Sequence, residues 1–477
     1  VEIDVLSAGA HGGPRVFDSA DVPADAATLE RLRRGTAGVD LAAPAVVLPD
    51  FHHKPKLEMP SSIAVATTQT IRPTFTSSSV NCGMALIALD CERPDRRAIE
   101  DFYRRVRERF PYPPGTHREL STRDVVRSAA GGGEFAADRY GVDAAELERV
   151  EEDGRVDLLP WGGAERMRAE LPWLTFALAR LRFGTVGPSN HFVELQVVEE
   201  VLDEATASRL GVREGQLTIQ YHAGGGVLTG EIGRMFGRRL DYPRQLRAAM
   251  AVQKPLYHLA SARSLAALRQ RLALYFAAAC PPVPLDGDEG RRLMLANAAA
   301  MNYGFAFRLA TYAGLRQLAR DTFGGGPSRL VVDSPHNSVY LEEVGGRNAV
   351  VHRHNSCRAY PAERMRAGTT FADTGQAVLL PGTNRTSSYL AVAGAGAHRS
   401  LHSACHGAGT VVAQYERSGR SGPHPAGHRT LKFGYTDAAP REVGHLDDNG
   451  VDGALGILVR HQLVRPVARL RPLAVLT

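Results

Sequence analysis

The run Gly184-Thr185-Val186-Gly187-Pro188-Ser189-Asn190-His191-Phe192-Val193-Glu194-Leu195-Gln196 joins a glycine turn to a strand. Two glycines and a proline punctuate its first half. Phe192 to Val198 then reads as a short strand, with Asn190, His191 and Glu194 gathered around its start. Working outward, similar strand-like runs are Leu217 to Tyr221, Leu330 to Val332, Ala377 to Leu380 and Tyr389 to Val392. Each lies beside a turn containing His or Gly, as expected of an active site built on loops over a sheet scaffold. Two helices stand out. Asp95 is placed to cap one in which Ile99, Phe102, Tyr103, Val106 and Phe110 recur at helical spacing, stopped by Pro111 and Pro113. The other runs from about Asp288 to Thr322 and stops at Gly324-Gly325-Gly326. Helices and strands are interspersed without a regular βαβ alternation. The expected class is therefore α+β, with mixed β-sheets flanked by helices around one active-site cleft.

Bulk properties narrow the setting. The chain has 477 residues, 44% hydrophobic and 23% charged. That is ordinary for a soluble protein able to bury a large core. A net charge of +6 permits a polyanionic partner without demanding one. The five cysteines, Cys82, Cys91, Cys280, Cys357 and Cys405, are odd in number and form no CxxC pair, which argues against a disulfide framework. A reducing, cytoplasmic setting fits best. No apolar run reaches the roughly 18–20 residues of a membrane span. The first residues, VEIDVLSAGA, lack the basic-then-apolar order of a signal peptide, and the absence of Met reads as processing or trimming. Glu416 to Thr430, rich in Gly, Ser, Pro and basic residues, reads as an exposed, mobile loop. No heptad pattern or apolar stripe calls for a dimer, so a monomer is expected.

Polar residues cluster at several further turns. Val80-Asn81-Cys82-Gly83-Met84 sets a cysteine in a turn; for a lone cysteine the ordinary reading is a small buried thiol. Tyr221-His222-Ala223-Gly224-Gly225-Gly226 and Ser334-Pro335-His336-Asn337 place histidines at strand ends. Cys82, His191, His222 and His336 form a plausible ligand set for Zn²⁺ or Mn²⁺. Spacing alone, however, favours four unrelated residues. Val351-His352-Arg353-His354-Asn355-Ser356-Cys357-Arg358 reads either as a solvated strand end or as an anion site in which Arg353 and Arg358 fork onto phosphate oxygens. Pro381-Gly382-Thr383-Asn384-Arg385-Thr386-Ser387-Ser388-Tyr389 offers backbone N–H groups and hydroxyls to a nucleotide. In Ser403-Ala404-Cys405-His406-Gly407-Ala408-Gly409 the glycines let a ligand approach closely, and a neutral His406 could attack phosphorus.

In order and wording these clusters resemble the RtcB family of RNA ligases. Leu48-Pro49-Asp50-Phe51-His52 is similar to the family's PDxH motif, Val80 to Gly83 to its DxNCG motif, and Gly184 to Gln196 to GxLGxGNHFxEIQ. His222, His336, Val351 to Pro361, Pro381 to Tyr389 and Ser403 to Gly409 follow in register, and Val467 to Leu473 looks like the final strand. The resemblance implies an RtcB-like fold in a single catalytic domain over 1–477. It implies Mn²⁺ held by Cys82, His191, His222 and His336, with Zn²⁺ as the alternative. GMP would lie against Asn190, Glu194, Asn337, Pro381, Gly382, Thr383, Asn384, Ser388, Gly407, Ala408 and Gly409. His406 would take GMP from GTP and pass it to an RNA 3′-phosphate or 2′,3′-cyclic phosphate end, which a 5′-hydroxyl would then join.

The chain departs from the family pattern where charge is concerned. Ser79 stands where the family has Asp, Gly225-Gly226 where it has Ser-Arg, His354 where it has Lys, Thr410 where it has Arg, and Thr477 near its terminal Lys. Each lost charge-assisted bond weakens phosphate binding by roughly 1.5–3 kcal/mol. Three readings follow: an RNA ligase, a guanylyltransferase acting on another acceptor such as a small molecule, and a non-catalytic nucleotide- or RNA-binding relic. Joint retention of Cys82, His191, His222, His336 and His406 argues against the relic.

Overall fold

The computed structural model describes residues 13–54, 57–77, 79–113, 120–180, 183–187, 190–236, 244–276 and 282–477. Pro188, Ser189, Cys280 and the first ten residues lie outside these. The principal strands are β1 (Val46–His52), β2 (Ser61–Thr67), β3 (Gly83–Ala88), β4 (Phe192–Val201), β5 (Leu217–Ala223), β6 (Arg329–Pro335), β7 (Asn337–Val344), β8 (Arg347–His354), β9 (Ser356–Arg358), β10 (Ala377–Leu380), β11 (Ser388–Ala393), β12 (Ser403–Cys405), β13 (Arg429–Phe433), β14 (Arg441–Gly444) and β15 (Val464–Leu476). The helices that matter here are α1 (Arg96–Arg109), α2 (Gly226–Phe236), α3 (Asp288–Phe323), α4 (Gly409–Arg417) and α5 (Asn449–Arg460).

The larger sheet runs in the order β10-β11-β15-β4-β5-β3-β6, with β13 added on β15 and β14 on β13. The smaller one contains β1-β2-β8-β7, with Arg15–Val16 at its edge. The class is α+β, as the interspersed pattern implied. The strand read from Phe192 sits in the middle of the larger sheet, buried along most of its length. Antiparallel pairing then does the work of assembly. Phe192 pairs with His222, Met84 with His222, and Gly83 with both Ala223 and Pro335. The starts of β3 and β4 and the ends of β5 and β6 therefore meet at one end of the sheet. Residues far apart in the chain converge there because register leaves them no alternative.

Behind this sheet lies α3, a helix of 36 residues whose Asp288-to-Ala310 portion is largely buried. Its limits match the expectation, with Gly324 at φ 66 closing it. Helix α1 is also as expected: Asp95 accepts a hydrogen bond from the Ala98 N–H, and the predicted apolar face is buried. Gly304 of α3 faces Asn81, and a Cβ there would come within 2.7 Å of the Asn81 Cβ. Arg308, one turn later and fully buried, donates to Asp333 on β6 at 2.6 Å and 2.8 Å and to the Asn81 Oδ1 at 2.5 Å. A second bond from Arg308 goes to the Asn81 carbonyl.

Two expectations change. Glu416 and Arg417 close α4, and Arg429 and Thr430 begin β13, so the loop is shorter than the composition suggested. It is also tied down: Gly422 donates to the Asp447 carboxylate at 2.9 Å, and the His424 N–H donates to the His445 carbonyl at 2.9 Å. Cys82, Cys91, Cys357 and Cys405 are free thiols, in line with the absence of a disulfide framework. No described helix is long and apolar enough to cross a membrane.

Arg308→Met leaves Asp333 charged and unpaired in the core. The expected loss is about 3–5 kcal/mol, read as a lower midpoint of urea unfolding. A midpoint equal to that of the unaltered protein would show that the pair carries no structural weight.

Candidate active site

The converging strand ends open into a cavity of about 710 Å³. Cys82 lies in the turn before β3, His191 just before β4, His222 within the last turn-ward residues of β5, and His336 between β6 and β7. The Cys82 Sγ is 3.2 Å from the His222 Nε2 and 3.5 Å from the His191 Nε2. The His222 and His336 Nε2 atoms are 3.0 Å apart. The His222 Nδ1 lies 2.7 Å from the Asn190 carbonyl, which can only accept, so Nδ1 carries the proton. The His222 Nε2 lone pair therefore points at the thiol and at His336.

Cys82, His222 and His336 are the group able to hold a metal ion among the described residues, with donor atoms within 4.8 Å of one another. The chemistry of this donor set fits a cation. Burial holds His222 and His336 well below the usual histidine range, so both are neutral ligands at pH 7. Burial pushes the Cys82 thiol up to about 11, so without a cation it stays protonated. The His336 Nδ1 is buried without a hydrogen-bond partner among the described residues. His191 approaches from the side, and Gly224 makes room for it: a Cβ there would be 2.9 Å from the His191 Cε1.

The His406 ring stacks on His336, with centroids 4.3 Å apart and planes 10° from parallel. Burial first, then the positive charge of Lys54, lowers the His406 pKa to about 3. At neutral pH it is a free imidazole with a lone pair, the state a nucleophile needs. Its Nδ1 has no hydrogen-bond partner among the described residues, while the ring bonds the Asn355 backbone. The chain after it starts α4, whose first turn is capped from the other sheet: the Thr410 N–H donates to the Asp50 carboxylate at 2.6 Å. The Thr410 hydroxyl lies 3.3 Å from the His52 Nδ1. Asp50, Asn81 and Asn355 all adopt positive φ, at 66°, 58° and 50°. Asp and Asn tolerate this conformation better than other non-glycine residues; Asp50 and Asn355 line the cavity, while Asn81 is fully buried.

Of the residues expected to bind nucleotide, Asn190, Asn337, Pro381, Gly382, Gly407 and Gly409 line the cavity together with His406 and the Cys/His group. Glu194, Thr383, Asn384, Ser388 and Ala408 do not. Glu194 is buried one pleat inside the sheet, accepts from Gln196 at 2.7 Å, and has its pKa raised to about 8 by that burial. Thr383 and Ser388 shape the loop instead: the Arg385 N–H donates to the Thr383 hydroxyl, and the Gly382 N–H to Ser388. Ala408 packs in the core beneath the turn. The two arginines suggested as an anion fork are spent internally. Arg353 is fully buried and makes a paired contact with Glu342 at 2.6 Å and 3.0 Å. Arg358 pairs with Glu152 and Glu151. Arg385, half-buried, pairs with Glu416 at 2.7 Å.

Sequence reasoning missed Lys54, Ser77 and Asn355 as wall residues, and did not place Asp50 and His52 within the site. The polar run Asp50-Phe51-His52-His53-Lys54 at the end of β1 was the signal for three of them. His354 and Thr410, noted as losses of charge, also line the cavity.

A family model described as tRNA-splicing ligase RtcB matches residues 35–477. The RNA-splicing ligase RtcB of Mycobacterium bovis is 28% identical over 419 residues, covering 84% of this chain and 89% of that protein. The tRNA-splicing ligase RtcB of Thermococcus kodakarensis is 27% identical over 460 residues, covering 90% and 87% respectively. That of Pyrobaculum aerophilum is 27% identical over 420 residues, covering 82% and 77%.

Metal binding at this group must displace the Cys82 proton while the histidines give up none. Affinity for Mn²⁺ or Co²⁺ is expected to rise about tenfold per pH unit between pH 6 and 8, and Cys82→Ala should abolish the slope. Titration of the metal-free protein at several pH values checks this; a pH-independent affinity would remove the thiolate from the ligand set.

Proposed function

The chain belongs to the RtcB family, and from that premise we propose that it is an RNA ligase working through a guanylylated His406. The observation that carries this reading is a neutral, half-buried His406 stacked on a metal-capable Cys/His group at the floor of one cavity. The full length, 1–477, acts in this reading as one catalytic domain.

The steps follow from the groups present. The lone pair of His406 attacks the α-phosphorus of GTP, a P–N bond forms, and the bond to the β-phosphate oxygen breaks to release pyrophosphate. The ring proton leaves from the other nitrogen. An oxygen of an RNA 3′-phosphate then attacks the same phosphorus, the P–N bond breaks as the other ring nitrogen takes a proton back from water, and His406 departs as a neutral imidazole, the form its buried environment favours. A 5′-hydroxyl finally attacks the activated 3′-phosphorus, and GMP leaves as the phosphodiester closes. A 2′,3′-cyclic phosphate end must first be opened to the 3′-phosphate. Cys82, His191, His222 and His336 would hold a divalent ion, Mn²⁺ in this reading, whose charge would polarise phosphoryl oxygens and offset their negative charge. The protein's own share is positional. Asp50 fixes the first turn of α4 and so the His406 loop, Asn337 bridges the Asn355 N–H and the Ser79 carbonyl, and Lys54 places a positive charge beside the bound triphosphate. The depth of the cavity protects the phosphoramidate from water.

The competing acceptor reading, a small molecule in place of RNA, gains support from the charge departures but from no specific contact. Incubation with α-labelled GTP and Mn²⁺ should give a protein-bound label that is acid-labile and base-stable, and that disappears in His406→Ala. The same mixture should join a 3′-phosphate RNA to a 5′-hydroxyl RNA. Label without joining would favour the small-molecule acceptor; no label with any divalent ion would end the guanylylation reading.

A further inference from the structure

Lys54 lines the main cavity, is exposed, and has no carboxylate partner among the described residues. Burial first, then the Lys54 charge, lowers the His406 pKa, so the ammonium stands close to the nucleophile. Lys54 closes a polar run that begins in β1. Asp50, at the head of the run, is spent on the Thr410 N–H. His52 lines the cavity, and His53 joins it to Lys54. The His53 Nδ1 is buried with no hydrogen-bond partner among the described residues.

The helix Ala26–Thr36 is seated against the same segment. Its Leu32 is fully buried and joins a cluster with Val47 of β1, Met59 and Ile63, while Leu29 and Phe51 pack against that cluster. Gly35 presses on Met59: a Cβ there would come within 2.5 Å of the Met59 Sδ. The helix is thus fixed beside β1 and the stretch that follows it, with Asp25 capping its first turn.

The three arginines of this helix have different surroundings. Arg34 pairs with Glu30 at 3.6 Å. Arg33 lines a separate hollow with Gly13 and Asp40. Arg31 is exposed and has no carboxylate partner among the described residues. It stands close to His53: burial first, then the Arg31 charge, lowers the pKa of that ring. His53 therefore lies between two uncommitted cations, Arg31 through space and Lys54 along the chain.

A phosphodiester backbone is the occupant that suits them. An RNA end that reaches His406 trails its preceding phosphates out of the cavity. Each carries a full negative charge, and exposed Lys and Arg side chains neutralise it without reading the base. Screening confines an exposed cation to about 8–10 Å, so only groups beside the cavity can serve. We propose that Arg31 and Lys54 form a basic shelf that holds the backbone of the RNA strand whose end lies in the cavity. This rests on the RNA-ligase reading above and names a surface for its substrate. Arg31 precedes residue 35, where the family match begins, so the family motifs do not count this cation.

The test is equilibrium binding without GTP, so it is independent of whether His406 is guanylylated. Fluorescence anisotropy would follow a labelled single-stranded oligoribonucleotide with a 3′-phosphate on the full chain loaded with Mn²⁺, between about 50 and 200 mM salt. The slope of log affinity against log salt counts neutralised phosphates, at about 0.7 for each on a single strand. Arg31→Ala should weaken binding about two- to fivefold and reduce the slope by about 0.7, equally for oligonucleotides of different sequence. Arg31→Lys should restore both. Arg34→Ala, on the same helix but paired with Glu30, should leave the slope unchanged. Cobalt binding by each variant reports that the fold and the metal-capable group are intact. A slope unchanged in Arg31→Ala overturns the proposal, as does the absence of binding by the unaltered chain. An equal fall in Arg34→Ala also overturns it, since the general charge of the helix would then be responsible. Arg31-dependent binding with a failed guanylylation assay would discard the reaction and leave the shelf. Arg31-independent binding with normal guanylylation would discard the shelf and leave the reaction.

Discussion

The Arg308–Asp333 pair is the constraint on which the site depends. Both side chains are fully buried, so each charge is tolerable only because the other is there. The guanidinium has donors left over, and these go to the carbonyl and side-chain oxygen of Asn81. Asn81 in turn donates its amide to the Met301 carbonyl of α3 at 2.5 Å. A residue at φ 58 is thus clamped on both sides by one helix, and the next residue is Cys82. From there the pattern is self-propagating: the His336 N–H donates to the Cys82 carbonyl, the Asn81 N–H to the Asn337 carbonyl, and the Ser356 N–H to the His336 carbonyl. Buried ion pairs add little to net stability compared with an apolar core. Their contribution here is to hold Asn81, and with it the turn before Cys82, against α3 and β6.

Burial also decides the chemistry. A solvent-exposed histidine is half protonated near pH 6.5, and a cluster of imidazoles in that state would repel one another and any metal. Desolvation removes the charge from His222, His336 and His406 together. The group is therefore poised for a cation without holding a fixed charge of its own. His406 gains the same neutrality but lacks a place in the donor cluster, which leaves its lone pair for another electrophile. Proximity to the ligand group and exclusion from it are both set by β12, which pairs with β9 and carries His406 past the end of the sheet.

The strands and long helices were legible because their signals are local. Alternation and apolar runs gave β4, β5, β10 and β11, and capping chemistry gave α1 and the end of α3. The Cys/His group was legible only through the family resemblance. Its members sit at positions 82, 191, 222 and 336, and nothing but sheet register brings them together. What failed was the reading of charge. Arg353 and Arg358 look like phosphate ligands in a basic, polar stretch, yet their partners, Glu342, Glu151 and Glu152, lie in other elements. Local sequence cannot reveal that an arginine is already spent. The hydroxyl-rich loop is also braced from within: Thr383 and Ser388 satisfy backbone donors within a few residues, as short polar side chains in turns commonly do.

The charge departures take on a different meaning once these partners are known. Counting residues in the motifs suggested a cleft stripped of cations. In the structure, Lys54 lines the main cavity, two residues beyond the motif that ends at His52. Charge near a phosphate is fixed by position rather than by motif, because screening limits an exposed cation to a range of about 8–10 Å. Gly225 and Gly226 cannot take a side chain without moving Val80, Tyr303 or Phe307, so this backbone has no room for a basic residue at either position. The loss of charge at this turn is thus built into the path of the backbone, not a single exchanged side chain.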